Sequence, residues 1–76
     1  MEAEAAKYIA AGLCMGLGSI GPAIAEGFIG AKAMEAIGRN PSVADNIFPK
    51  MIVADAIAES TGIYSLVIAL IILFVA

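Results

Sequence analysis

Glu59 lies inside a predominantly apolar segment, residues 51–76, followed at once by two hydroxyls, Ser60 and Thr61, and five residues on by the Tyr64 phenol. An ionised carboxylate near the centre of a bilayer-length helix costs about 2.5–3.5 kcal/mol on insertion scales, so such a residue has a partner or a task. The surrounding oxygens define the chemistry on offer. Carboxylate, hydroxyl and backbone carbonyl make a hard-oxygen shell for a small alkali cation, while a carboxyl hydrogen-bonded to Tyr64 suits a proton. Oxygen donors alone leave both open. Ser60 and Thr61 can instead bond back to the carbonyl four residues earlier on their own helix, and Tyr64 can be an ordinary packed aromatic.

Two more acids belong to the same level, Glu26 and Asp55. Counted from Pro41, Glu26 is 15 residues back, Asp55 14 on and Glu59 18 on. At about 1.5 Å per residue all three fall within about 6 Å of one height and can share a site. Asp55 and Glu59 are also four residues apart on one helix face, where like charges repel, and more strongly in a low dielectric. The three cannot all be ionised without a cation. The expected outcome is a carboxyl that keeps its proton, a shared proton, or a bound metal ion. Asp55, with Pro49 near the helix start, also reads as a bystander high enough to reach water.

The elements that must position these groups follow from composition. The chain has 76 residues, 62% hydrophobic and 14% charged, with no Trp and no His. That is too short and too apolar for an ordinary soluble domain and reads as an integral membrane protein. The net charge of −3 is scattered, so nothing here is basic enough for nucleic acid. Cys14 is the sole cysteine, so no intrachain disulfide exists, and its apolar surroundings predict a buried, inert thiol. The acidic start Met1-Glu2-Ala3-Glu4 is unlike a basic secretory leader, so the first apolar segment is expected to be retained.

One helix is predicted over about residues 5–38, uncharged between Tyr8 and Ala25, and a second over about 43–76, each long enough to cross a bilayer. Between them Gly38-Arg39-Asn40-Pro41-Ser42 supplies stop signals, with Ser42 expected to cap the second helix and Asp45 in its first turn. Residues 1–76 thus form a single all-α transmembrane hairpin. Pro22, inside the first helix, should bend it slightly. Lys32, Arg39 and Lys50 gather at the loop end against Lys7 alone near the other, which puts the loop in the cytoplasm and both termini on the far side.

Small residues in the first helix are ordered. At about 100° per residue Gly12, Gly16, Ser19, Ala23, Gly27 and Gly30 fall within an arc of roughly 80°, with Gly21 and Ala25 across the helix. Such stripes let membrane helices approach closely, and two of them predict neighbours on both sides, as in a homo-oligomeric ring of thin inner and bulky outer helices.

These features together resemble the c subunit of F-type ATP synthases, the ring-forming proteolipid: two hydrophobic helices, a small-residue motif in the first, the loop Arg39-Asn40-Pro41, and a carboxylate midway along the second. The resemblance spans nearly the whole chain. It implies a rotor ring in a bacterial cell membrane, a multi-pass protein with no bond chemistry and no cofactor. Glu59 would take H+ or Na+ from one half-channel of the a subunit and release it to the other, coupling the gradient to ATP synthesis made elsewhere. The Arg39-Asn40-Pro41 loop would meet the gamma and epsilon subunits of the central stalk, and the outer surface would meet lipid.

Sodium-carrying members of that family use a Gln of helix one, then a carbonyl, the Glu, a Ser and a Tyr of helix two. By resemblance these roles fall on Glu26, Ile57, Glu59, Ser60 and Tyr64, with Thr61 placed to hold a water. Glu26 in place of Gln is a departure: ionised, it would leave the sodium-loaded site negative, and protonated it still offers a carbonyl oxygen. Ser19, Gly21, Ala23 and Ala25 depart from the family's alternating glycine run, so ring size does not carry over. Two other readings of the chain are a small pore-forming hairpin of the holin or viroporin kind and a structural membrane adaptor, the latter leaving Glu59 without a task.

Overall fold

A computed structural model describes residues 2–75; Met1 and Ala76, the ends of the predicted hairpin, lie outside them. The chain folds into α1 (Ala3–Gly18), α2 (Ile20–Arg39), a 3-10 turn at Pro41–Val43, and α3 (Ala44–Phe74). α1 and α2 form one limb and α3 the other, packed side by side along a body 58 Å long. That is nearly twice the roughly 30 Å of a bilayer's hydrocarbon core. Each limb is long and apolar enough to cross a membrane. Among the described residues such limbs number two, so two passes replace the multi-pass expectation.

The first limb is interrupted at Ser19, and the reason lies three residues on. Pro22 has no N–H, so the Gly18 carbonyl lacks its helical partner. The ladder survives on either side: the Ser19 N–H donates to Met15 O and the Ala23 N–H to Ser19 O, each at 3.0 Å. Ser19 stays in helical backbone, φ −88° and ψ −13°, and its hydroxyl donates to Gly16 O at 3.1 Å. Pro22 is thus the third residue of α2, within the first turn where a missing donor costs least.

The reversal is built by Asn40 and Pro41. A residue before proline is pushed out of helical space, and Asn40 takes φ −145° and ψ 88°. Its side-chain Oδ1 accepts from the Ser42 N–H at 3.3 Å and from the Ser42 hydroxyl at 2.6 Å. Asn40, not Ser42, is therefore the cap of the 3-10 turn, because Pro41 starts that turn two residues earlier than a Ser42 cap requires, and α3 follows with Val43 at its N-cap and no side-chain cap. Gly38 stays inside α2, and no described residue adopts a positive φ, so the helix ends without a left-handed glycine.

The seam between the limbs is lined with small residues. Ala11, Pro22, Gly62 and Ala69 are buried, and no large side chain is among them. Two glycines allow the approach. A Cβ at Gly18 would overlap the Ser65 side chain, and one at Gly62 would lie 3.8 Å from Pro22 Cβ. Cys14 is half-buried and its thiol donates to Ser65 O at 3.4 Å. Outside this seam the large hydrophobics are exposed, including Leu17, Ile24, Phe28, Val67 and Phe74. So much apolar surface suits lipid or further copies of the chain, not water.

Candidate cation site

The antiparallel limbs bring the predicted acids to one level. Glu26 on α2 is half-buried beside the seam, and its carboxyl lies within hydrogen-bonding reach of the Glu59 carboxyl on α3. One Asp55 oxygen, Oδ1, is shielded from solvent and has no hydrogen-bond partner among the described residues. The three acids do not close into a metal-holding cluster among the described residues. Glu26 and Glu59 meet, and Asp55 stands one turn away on α3.

Residue counts place this pair well inside the levels marked by the lysines. Lys32 and Lys50 are each nine residues from Pro41, on opposite limbs, and define one plane. Lys7 lies 34 residues from Pro41, so the two lysine levels are about 37 Å apart at 1.5 Å per residue, enough to bracket a hydrocarbon core. Glu59 falls about 14 Å inside the Lys50 plane. Lys32 is held 5.6 Å over the Phe28 ring and 3.7 Å from Glu35, which also pairs with Arg39.

Ile57, Ser60, Thr61 and Tyr64 do not join Glu59 within the chain. At about 100° per residue each is turned by roughly 100–160° from Glu59 around α3. The Ser60 hydroxyl donates to Ile57 O at 2.6 Å, a back-bond to its own helix that reaches the carbonyl three residues earlier and not the expected one four residues earlier. Ile57 and Tyr64 are both 68% exposed. Thr61 lines a crevice of about 300 Å³ with Gly21, Pro22, Ala25 and Ala58. At mid-height the hairpin therefore has an acid edge and, across it, a hydroxyl edge with an open crevice.

The arc of small residues on the first limb is also open. At Gly12, Gly16, Gly27 and Gly30, and at Gly21 across the helix, a Cβ would meet no described atom within 4 Å. Ala23 is exposed and Ser19 and Ala25 are partly so. Arg39, Asn40 and Pro41 form the exposed tip. Sequence reasoning did not single out Gly18, Gly62 or Ser65. The signal available was the run Ala58, Gly62, Ser65, Ala69, a small residue every three or four positions of the second helix.

Comparison with known proteins agrees with this architecture. The family profile of the ATP synthase C subunit matches residues 9–72. The ATP synthase c subunit of Thermotoga petrophila is 59% identical over 69 residues, 91% of this chain and 81% of that one. The c subunit of Dehalococcoides mccartyi is 53% identical over 76 residues, the full length of both, and that of Alkaliphilus oremlandii 50% over 70 residues, 92% and 78%. With a family match over most of its length and relatives of this identity, the chain belongs to the ATP synthase C-subunit family.

Proposed function

We propose that this chain is the cation-carrying rotor subunit of a bacterial ATP synthase and that Glu59 is the group that carries the cation. The observation that supports this most is the Glu26–Glu59 pair, two carboxyls in reach of one another about 9 and 14 Å inside the lysine plane, where Asp55 is the other charged residue. A bare carboxylate there is costly to face with lipid, whereas a loaded one is neutral. Loading and unloading then happen where a partner offers water or an opposite charge, a role assigned to the a subunit. The chain breaks and makes no covalent bond and is not itself an enzyme.

Two cations remain in play, each with its own support. A hydrogen bond between two carboxyls needs a proton on one of them, and so favours H+ on the acid edge. Ser60 Oγ and Ile57 O, 2.6 Å apart on the hydroxyl edge, are two hard oxygens that a neighbouring copy could bring to Glu59, and so favour Na+. The sodium site then spans two chains, with Glu26 and Glu59 from one edge and Ile57, Ser60, Tyr64 and a Thr61-held water from the next. The open arc from Gly12 to Gly30 would pack the copies into a homo-oligomeric ring. Lys32, Arg39 and Lys50 at the loop end favour a cytoplasmic loop, with both termini opposite, and place Arg39, Asn40 and Pro41 to meet gamma and epsilon.

Carbodiimide modification, which attacks protonated carboxyls, tests the cation. In membranes at neutral pH, Na+ that protects Glu59 from labelling establishes sodium loading; labelling unchanged by Na+ establishes the proton. Absence of Glu59 labelling at any pH and any Na+ concentration contradicts the proposed role. A pore-forming hairpin, by contrast, would permeabilise membranes when expressed alone, without the rest of the ATP synthase.

A further inference from the structure

We propose that Gly62 is a positioning residue for Glu59: the space left by its missing side chain is the berth in which the Glu59 carboxyl lies, turned in against α2 to meet Glu26. The proposal rests on Glu59 being the cation carrier. Gly62 is buried in the seam, one turn beyond Glu59 on α3. A Cβ there would stand 2.9 Å from Glu59 Oε1 and 3.7 Å from its Cδ, but 3.8 Å from Pro22 Cβ, an ordinary van der Waals contact. Backbone and proline thus tolerate a methyl group, and the atom that has to give is the end of a flexible side chain.

Gly18 supplies the contrast. A Cβ there would overlap both Oγ and Cβ of Ser65, and a Cβ cannot retreat without moving its own backbone. Gly18 sets the distance between the limbs; Gly62 sets where a carboxyl rests. The two glycines sit in one seam, so their substitutions separate a packing effect from a placing effect.

The test uses the complete ATP synthase in native membranes. Gly62→Ala is expected to retain the ring, seen by mass of the intact oligomer, and to free the Glu59 carboxyl from α2, raising its carbodiimide labelling rate about fivefold. Gly18→Ala is expected to leave that rate within about twofold. In a Glu59→Asp background the shorter carboxyl does not reach over position 62, so adding Gly62→Ala should change labelling by less than about twofold. A wild-type labelling rate in Gly62→Ala, or an equal change in the Glu59→Asp background, overturns the proposal. Should the variant yield no ring, solid-state NMR of the unaltered ring decides: a Glu59 carboxyl to Gly62 α-carbon cross peak upholds the berth, and its absence refutes it. The NMR cross peak requires neither labelling nor ATP synthesis, so its failure is distinguishable from failure of the carrier reading.

Discussion

The two edges of the hairpin at mid-height differ in kind. On the acid edge Glu26 and Glu59 meet across the seam with Asp55 a turn away, so charge is concentrated and a cation is demanded. On the hydroxyl edge Ser60 is satisfied by Ile57 O, Tyr64 points away from the seam, and Thr61 borders an open crevice. One edge is incomplete for want of positive charge, the other for want of a neighbour. On the proposed reading a single chain holds both halves of the cation site without completing it, and a closed ring of identical copies would complete it by setting every acid edge against a hydroxyl edge.

Substitutions on the acid edge are expected to act first and hardest. Glu26→Leu leaves Glu59 without its partner at a depth where an unmet hydrogen-bonding group costs about 1–3 kcal/mol, so ATP synthesis by the reconstituted complex should fall about tenfold or more. Glu26→Gln keeps an oxygen and a donor in place and should stay within about threefold of the wild type. Wild-type synthesis in Glu26→Leu would show that the pair plays no part.

On the hydroxyl edge the expected effect is smaller and specific to the cation. Ser60→Ala removes one neutral oxygen, worth about 1 kcal/mol, and should weaken Na+ protection of Glu59 about fivefold while leaving proton-driven synthesis unchanged. A loss of proton-driven synthesis would place Ser60 on the acid edge's side of the comparison. Far from both edges, Ser42→Ala deletes the 2.6 Å bond to Asn40 Oδ1 and should lower stability by about 0.5–1 kcal/mol, read as a small drop in the thermal midpoint of the ring, with synthesis unaltered.

How much of this was legible in the sequence follows from contrast. Apolar runs broken by Glu26, Asp55 and Glu59 stand out against lipid-like surroundings, and Asn40-Pro41 stops a helix whatever its context, so the hairpin and the level of its acids could be read directly. The seam could not. Gly18, Gly62 and Ser65 differ little in hydropathy from the small residues of the outward arc, and only the close approach of two backbones separates the stripe that is filled from the stripe that is open. Ser42 does not cap α3, and Asn40 caps the 3-10 turn before it, because proline's local geometry outweighs the usual preference for serine before a helix. The splitting of the supporting residues over two edges follows from about 100° per residue, but its meaning depends on a second chain.

The account stands on Glu59 as the group that is charged and neutralised in turn, and the most direct measurement is ATP synthesis by the reconstituted complex carrying Glu59→Gln, alongside the mass of its ring. The predicted result is an oligomer of unchanged mass with ion-driven synthesis reduced to background; synthesis at or near the wild-type rate from that intact ring would contradict the account.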